Sequence, residues 1–499
     1  MLSHSKEYEV IVIEQSTCIG GISKTVVHSG NRMDIGGHRF FSKDPQVNAW
    51  WEKMMPTQGM PALDDLLLNR SVKTFPGGPN PETEDNVMLN RHRVSRILFQ
   101  NHFYDYPIRL KPETFRNMGL LTTLQVGLSY LAAVIHKLPE DNLENFYINR
   151  FGKKLYSMFF EHYTENLWGR HPREISSSWG AQRVKGLSVK AVIRDVFSSI
   201  FGGADRKVET SLIEAFKYPK LGPGQLWEHT AAEIEKLGGQ ILLSASVVKL
   251  HRSAQNRLEG LTYRKDGKEF RIDGDYIISS MPLKDLVQGI DGVPAEEAAI
   301  AAGLPYRDYI TMGVLVPQLA LQNRTKLKTV GNIVPDCWIY VHDRRVKMGR
   351  LQIYNNWSPY LVKDLEHTVW LGLEYFVNEG DALWNLSDHD FAQLGIREMI
   401  QLGLIQDAET VKDVHIERLR KAYPAYFDTY CKIDELISYL NKIENLYCVG
   451  RNGQHRYNNM DHSMLTAFRA VESILTGSTD KAPVWNVNTE ETYHEQNHA

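Results

Sequence analysis

The residues best suited to chemistry lie near the carboxyl end, in the run Gly450-Arg451-Asn452-Gly453-Gln454-His455. An apolar stretch typical of a buried strand, 445–449, precedes this run, and the pattern of 465–475 predicts an amphipathic helix after it. Backbone N–H groups at a helix start attract negatively charged or strongly polar groups. The pattern therefore predicts a polar-ligand site that includes Asn459, Ser463 and Met464, against the alternative of a surface loop rich in amides.

A second group of candidate residues lies near the amino end. The apolar β-branched stretch 8–14 predicts a strand that ends in Glu14, and a carboxylate there can accept hydrogen bonds from ribose hydroxyls. The pair Gly20-Gly21 follows it and lets the backbone approach a flat ring or a pyrophosphate closely. Lys24 and Thr25 are suited to phosphate oxygens. These types and spacings predict part of a nucleotide site, although a solvated strand end would explain Glu14 alone.

A third motif, Gly36-Gly37-His38-Arg39, repeats the glycine pair and adds two ionisable side chains. We expect His38 and Arg39 to lie at the edge of the bound ring. The sequence shows no zinc-ligand spacing, no nucleophile elbow and no phosphate-binding P-loop, so no metal is expected. These absences favour a chemistry that a bound cofactor supplies.

Together these motifs resemble the FAD-dependent flavoproteins that include amine oxidases, protoporphyrinogen oxidases and UDP-galactopyranose mutases. The similarity extends through the middle of the chain, where it is greatest to the mutase-like branch. The middle motifs are 149–156, 163–169 and 182–188. The resemblance implies FAD as cofactor, with NAD(P)H as a possible reductant, and a backbone contact from Val248 to the adenine end.

The resemblance also implies an α/β fold with a discontinuous Rossmann-like domain, an antiparallel-sheet substrate domain and a helical insertion. The expected divisions are an FAD-binding domain of 1–45, 215–290 and 430–480, a mainly helical domain of 46–214, a sheet domain of 291–429 and a tail of 481–499. Four strands are predicted within the sheet domain, at 311–316, 337–341, 350–354 and 369–375.

One departure from the family concerns the amino end. The family begins with a strand and a GxGxxG turn that holds the FAD pyrophosphate, and this sequence has no such element. Residues 1–5 resemble the end of the helix that follows that turn. We expect that roughly 20 residues are missing, by the spacing of a βαβ fingerprint. This expectation leaves open whether the chain binds FAD.

Basic and aromatic residues between these motifs could bind an anionic substrate such as a nucleotide diphosphate. For the stretch that holds Arg91 and Arg93, the alternative is a solvated edge strand, because exposed bases are common. The candidate substrate residues are Arg91, Arg93, Tyr104, Arg183, Lys185, Arg350 and Tyr423.

Three functional hypotheses follow, in this order. The first is an oxidoreductase that passes hydride or electrons through the flavin N5 and has a mostly apolar cavity. The second is a UDP-galactopyranose mutase-like isomerase that uses reduced FAD as a nucleophile, with paired bases and a stacking ring for a nucleotide sugar. The third is a flavoprotein fold kept only for binding. In both enzymes His38, Arg39, Arg451 and His455 would lie near the ring.

Composition limits the partners and the compartment. The 499 residues carry a net charge of −3, which gives no reason to expect nucleic acid as a partner. Four cysteines without CxxC spacing and a polar amino end predict a reducing, cytoplasmic location. The uncharged stretch 118–135 predicts a helix with its leucine face buried and no stable membrane insertion. The sequence leaves the oligomeric state open.

Overall fold

The computed structural model describes residues 1–4, 7–106, 108, 112–177 and 215–488. The fold is mixed α/β, as the sequence predicts. Its strands are β1 Ile11–Ile13, β2 Thr25–His28, β3 Asn31–Asp34, β4 Met88–His92, β5 Ser95–Phe99, β6 His102–Asp105, β7 Ala215–Pro219, β8 Gln240–Leu242, β9 Ser246–Arg252, β10 Leu258–Lys265, β11 Lys268–Asp273, β12 Ile277–Ser279, β13 Tyr306–Val316, β14 Trp338–Val341, β15 Arg350–Ile353, β16 Val369–Val377, β17 Asp413–Pro424 and β18 Leu446–Cys448. Its α-helices are Pro45–Met54, Leu63–Leu67, Pro112–Met118, Leu120–Ile135, Leu143–Phe159, Glu161–Trp168, Pro223–Lys236, Leu283–Gly289, Ala295–Ala302, Tyr354–Trp357, Asp388–Gln401, Ile433–Asn441, Gly450–Gly453, Met460–Thr476 and Ala482–Trp485.

The largest sheet has seven strands in the order β17-β13-β16-β15-β14-β5-β6. Its neighbours are antiparallel except β14 and β5, which run parallel. The four predicted strands of the sheet domain are confirmed as β13 to β16. β5 and β6 lie in the segment that we predicted to be mainly helical, and they extend this sheet because the main chain of β5 pairs with that of β14.

Alternation along the central strands divides this sheet into two chemically different faces. Ile310 and Met312 of β13 belong to an aliphatic core that the helix Asp388–Gln401 covers. Gly395 allows the close approach of that helix, because a Cβ there would lie 2.6 Å from the Met312 sulfur. The opposite face carries Arg350 and Glu374, whose strands are paired at these residues. One face therefore packs the core, while the other can present polar side chains to a ligand.

The parallel strands come from widely separated parts of the chain. β1 pairs with β8, and β12 pairs with β18, both in parallel. Each pair forms its own two-stranded sheet among the described residues. The antiparallel sheet of β9, β10 and β11 connects the two pairs along the chain. Strands from the start, middle and end thus share one region, as a discontinuous cofactor domain requires.

The helix Leu120–Ile135 differs from its prediction. Its leucines face outward, and only Val126 and Ala133 are buried. The prediction of a buried leucine face is therefore wrong, because the face that packs inward carries the smaller side chains. In the described part of the chain no single helix is long and apolar enough to cross a membrane. Pro112–Met118 and Leu120–Ile135, bent by 108°, meet these criteria only as a pair.

Candidate functional site

A cavity of about 2550 Å³ lies among the two parallel strand pairs, the glycine loops and the polar face of the large sheet. It is larger than the cavities of about 300–1,000 Å³ that hold most small ligands. The strands β1 and β12 both contribute to its wall. Most of the candidate residues that the structure describes line it: Glu14, Gly20, Gly21, Lys24, Gly36, Gly37, His38, Arg39, Arg93, Arg350, Tyr423, Gly450, Arg451, Asn459, Ser463 and Met464.

The loop after β3 presents His38 to this cavity. Gly36 has φ +87, a conformation that favours glycine. A Cβ at Gly37 would lie 2.9 Å from the Trp338 ring, so only glycine lets the loop pack against that indole. The His38 Nδ1 lies 2.9 Å from the Gly36 carbonyl oxygen. A carbonyl can only accept, so Nδ1 carries the hydrogen and Nε2 is left as an acceptor in the neutral ring.

His38 is held in its neutral form. Burial lowers its pKa to about 4, and the nearby Arg451 and Arg350 guanidiniums act in the same direction. The bond to the Gly36 carbonyl opposes them without reversing the shift. At neutral pH the imidazole can therefore accept a hydrogen bond or a proton through Nε2.

Asp34 supports this loop from beneath. Its carboxylate accepts hydrogen bonds from Tyr218 Oη and, at 3.2 Å, from Thr25 Oγ1. Its main-chain oxygen accepts one from Tyr354 Oη at 2.9 Å. Burial raises the pKa of Asp34 to about 7, although the bonds from Tyr218 and Thr25 oppose the shift. Burial of this carboxyl makes stability depend on pH.

We predict that the Asp34→Asn variant will lose this pH dependence. A carboxyl whose pKa rises on folding stabilises the native state at low pH, and this stability is lost as the pH rises towards 7. Between pH 5 and pH 8 the wild type should lose about 2–3 kcal/mol of unfolding free energy relative to Asp34→Asn. Urea unfolding at both pH values measures the difference, and parallel pH profiles would refute the assignment.

Arg350 forms a buried polar cluster at the cavity wall. Its guanidinium pairs with the Glu374 carboxylate and donates to Tyr423 Oη at 2.8 Å. Glu374 also accepts from Gln352 Nε2 at 2.8 Å. Burial acts to lower the pKa of Arg350, but the Glu374 charge raises it well above the usual range. The guanidinium therefore stays charged, with its orientation fixed by two partners.

Arg451 and Arg39 bring further positive charge to the cavity. Arg451 donates from Nε to the Asn458 carbonyl at 2.9 Å, and its guanidinium lies 4.6 Å from the Tyr457 ring centre. The Arg39 guanidinium lies 5.9 Å from the Trp338 ring centre. Neither has a carboxylate partner in the described part of the chain. Both charges are thus available to an anionic ligand.

A wall of aromatic rings completes the cavity. Tyr106 stacks on Tyr340 with ring centres 4.1 Å apart, and the Trp338 ring lies 5.6 Å from that of Tyr340. Tyr163 stacks on His342 at 4.6 Å. These residues are not among the candidates that the sequence motifs indicate. Alternation along β14 places Trp338 and Tyr340 on one face and could have identified them.

Several candidate residues lie elsewhere, each for a physical reason. Arg91 is buried against Asp64, to which it donates at 3.0 and 2.8 Å, so it does not line the large cavity. Tyr104 packs in the core between Phe99 and Phe159. Neither residue lines the large cavity. Arg183 and Lys185 lie outside the described residues.

Three further candidates need correction. His455 is fully buried, with Nε2 3.0 Å from the Ala425 carbonyl oxygen, and burial lowers its pKa to about 4. It supports the loop from inside, away from the cavity wall. Thr25 Oγ1 is bonded to Asp34 and accepts from the Gly224 amide at 3.0 Å, so it does not reach the cavity either. Val248 does not line the cavity, whereas the adjacent residue Val247 does.

The glycine run at the carboxyl end forms a short helical turn, Gly450–Gly453. Gly450 has φ +75, and its amide donates to Thr466 Oγ1 at 2.8 Å. This bond holds the turn against the helix Met460–Thr476. The helix itself confirms the amphipathic helix predicted at 465–475. Arg451, Asn459 and Ser463 consequently face the same cavity.

The residues present fit a flavin nucleotide. Several buried polar atoms at the cavity wall have no hydrogen-bond partner among the described residues, and Trp227 Nε1, Ser279 Oγ and Trp338 Nε1 are three of them. Buried polar groups are rarely left unpaired, so a ligand with several acceptors is expected there. Glu14 and Val247 would hold the adenosine end, and Gly36, His38 and Arg451 the ring. Bound FAD would supply hydride or electron transfer, or a nucleophile when reduced.

Comparisons with known proteins agree with this geometry. No curated protein sequence matches the chain. Reduced UDP-galactopyranose mutase has the same fold, with a TM-score of 0.74 and 17% identity over 97% of this chain and 99% of that chain. A candidate protoporphyrinogen oxidase from Exiguobacterium sp. 255-15 gives a TM-score of 0.62 and 14% identity over 93% of each chain.

A fatty acid isomerase from P. acnes also shares the fold, with a TM-score of 0.52 and 11% identity over 94% of this chain and 99% of that chain. At such identities these likenesses concern the fold alone. The model of the flavin containing amine oxidoreductases matches residues 1–475, nearly the whole chain. The chain therefore belongs to the flavin-containing amine oxidoreductase family.

Proposed function

We propose that this chain is an FAD-dependent enzyme that acts on an anionic substrate with a flat ring. Mutase-type isomerisation of a nucleotide sugar is the reaction that its cavity suits best. One observation carries the proposal: the guanidiniums of Arg39, Arg350 and Arg451 share a cavity with stacked aromatic rings. The oxidoreductase hypothesis predicts a mostly apolar cavity, so the order of the two enzyme hypotheses is reversed.

The guanidiniums would bind the diphosphate. Arg39 and Arg451 are free of carboxylate partners in the described residues, so their charges are not offset. Planar guanidiniums bind phosphate oxygens through two hydrogen bonds at once, which fixes orientation as well as affinity. Arg350 adds a third group, although its pairing with Glu374 reduces its net charge.

The aromatic wall would bind the base. Tyr106 and Tyr340 are already stacked, with an angle of 21° between their rings. A uracil ring could extend such a stack, because flat rings prefer offset parallel arrangements at short separation. The neutral His38 would lie at the reacting end, where its Nε2 could accept a hydrogen bond from a sugar hydroxyl.

The aromatic wall leads to a prediction about affinity. The Tyr106 ring is partly exposed at the cavity and stacks on Tyr340. Replacement of Tyr106 by Ala should weaken the binding of UDP by about 5- to 150-fold, because stacking of a base on an aromatic ring contributes about 1–3 kcal/mol. Titration calorimetry measures the change. Tyr106→Phe keeps the ring and should bind UDP nearly as well as the wild type. Equal loss in both variants would assign the effect to the hydroxyl and contradict stacking.

An FAD-dependent oxidoreductase remains the second candidate, with NAD(P)H as a possible reductant. One observation favours it. The Glu374 carboxylate offsets the charge of Arg350, and this pair lies beside the rings of Trp338 and Tyr340. This part of the cavity could accept an uncharged substrate. The family match is consistent with either reaction.

The decisive experiment is conversion of UDP-galactopyranose by the flavin-loaded protein under anaerobic conditions. With reduced flavin we expect the furanose isomer, detected by chromatography or NMR, and no conversion with oxidised flavin. Galactose 1-phosphate is the control substrate because it lacks the uridylyl group, that is, the uridine and one of the two phosphates. Failure of the reduced enzyme to convert the sugar, together with substrate-driven reduction of the oxidised flavin by another compound, would favour the oxidoreductase.

A further inference from the structure

The helix Leu120–Ile135 directs an apolar stripe away from the protein. At 100° per residue the stripe covers one arc of roughly 140°, and the buried Val126 and Ala133 lie on the opposite side. Surface helices normally turn their apolar stripe towards the core. We name the stripe the leucine face; it consists of Leu120, Leu121, Leu124, Leu128, Leu131, Val134 and Ile135, each at least 40% exposed.

Close packing fixes this orientation. The inner side of the helix lies against Leu143–Phe159, where Gly152 interrupts the helical backbone with φ +76. A Cβ at Gly152 would lie 2.8 Å from the Tyr130 amide nitrogen. The Ser129 hydroxyl accepts a hydrogen bond from the Lys154 amide at 2.9 Å. Rotation of the leucine face inward would break these contacts, so the exposed arrangement belongs to the fold.

We propose that the leucine face docks the enzyme on the surface of a lipid bilayer that contains anionic headgroups. The charges at its borders fit such a surface. Arg116 and Lys153 are exposed and have no carboxylate partner in the described residues, and the exposed Lys137 donates to the Asn149 carbonyl at 2.6 Å near Glu140. The acids Glu140 and Glu144 are paired with bases, whereas Asp141 and Glu113 are exposed.

The chemistry of the face favours lipid over a protein partner. It offers aliphatic side chains, with Gln125 at its edge, and no exposed ring or guanidinium. Protein interfaces are enriched in aromatic residues and arginine and carry a hydrogen-bonding rim. Sixteen residues form a rod of about 24 Å, suited to lie in the headgroup region with its apolar side in the acyl layer. The 108° bend before it favours surface docking over a straight span.

Vesicle flotation of the full chain tests the proposal. The wild type should bind vesicles of phosphatidylcholine mixed with phosphatidylglycerol, and bind pure phosphatidylcholine less well. Leu124→Gln, Leu128→Gln and Leu131→Gln together should lower binding to the mixed vesicles by at least about tenfold. The matched control combines Leu66→Gln, Leu237→Gln and Leu327→Gln, which alter exposed leucines elsewhere and should leave binding unchanged.

A second set of variants tests the contribution of the basic residues to vesicle binding. Arg116→Gln with Lys153→Gln should reduce binding to the mixed vesicles and remove their advantage over phosphatidylcholine. Thermal unfolding of every variant in lipid-free buffer shows whether it is folded. Absence of wild-type binding, or equal binding by the leucine-face variant, would overturn the proposal. A wild-type dimer that this variant converts to a monomer, without vesicle binding, would identify a second copy as the occupant.

Discussion

Replacement of Arg350 by Met should lower the free energy of unfolding by about 3–5 kcal/mol, because it leaves a buried carboxylate without its cation. Arg350 is 4% exposed, and its partner Glu374 is completely buried. Glu374 would keep the hydrogen bond from Gln352 Nε2 but lose the charge of its partner. Urea unfolding measures the loss.

The double variant Arg350→Met with Glu374→Gln should recover much of this loss. Removal of both charges leaves no unpaired ion in the core, and apolar substitutes for buried pairs are often tolerated. Arg271→Met is the matched control, since its pair with Asp273 is largely exposed and should contribute less than about 1 kcal/mol. A double variant as unstable as Arg350→Met would show that packing, and not charge, explains the effect.

Replacement of Arg451 by Met should reduce turnover by about 10²–10³-fold, because preorganised charge at a reacting group contributes on this scale. The guanidinium is held by the Asn458 and Ala422 carbonyls and acts on His38. Loss of its charge should also make the reduction potential of bound flavin more negative and raise the pKa of His38. Turnover, potentiometric titration and the pH profile measure the three effects.

Arg451→Lys keeps the charge and should retain the potential better than Arg451→Met does. Arg469→Met is the matched control on the following helix, because Arg469 pairs with Glu472 at the surface. We expect wild-type turnover from it. If Arg451→Met lowers turnover but leaves the flavin potential and the pH profile unchanged, the role of Arg451 is only structural.

Local motifs identified the segments at the cavity because their residue types constrain the backbone directly. Gly36 and Gly450 both adopt positive φ, and Gly37 packs where any side chain would clash. His38 and Arg451 closely follow these glycines, and both line the same cavity. The strands β13 to β16 could be predicted as well, since runs of β-branched and aromatic residues favour strands.

The role of a single charged or aromatic residue could not be predicted in the same way. Arg91 and Arg93 are two residues apart, yet Arg91 bonds to Asp64 while Arg93 lines the cavity. The difference depends on a carboxylate 27 positions away, which local pattern does not reveal. Tyr104 and Tyr106 differ in the same way, since Tyr104 lies in the core and Tyr106 lines the cavity.

The helix Leu120–Ile135 shows a second limit. Helical spacing correctly predicts that its leucines share one face, but spacing does not say which way that face points. The small residues Gly152 and Ser129 decide this, because they let the opposite side approach the helix Leu143–Phe159. The burial of an apolar stripe is a statistical expectation that contacts in the folded chain can override.

The visible absorption spectrum of the protein, recorded after addition of FAD and removal of free cofactor, tests most directly whether this cavity binds a flavin. We expect flavin bands that stay with the protein and are weakened by the Gly450→Val substitution, whose side chain would strain a positive-φ turn. Absence of retained flavin from the protein would contradict flavin binding at this cavity.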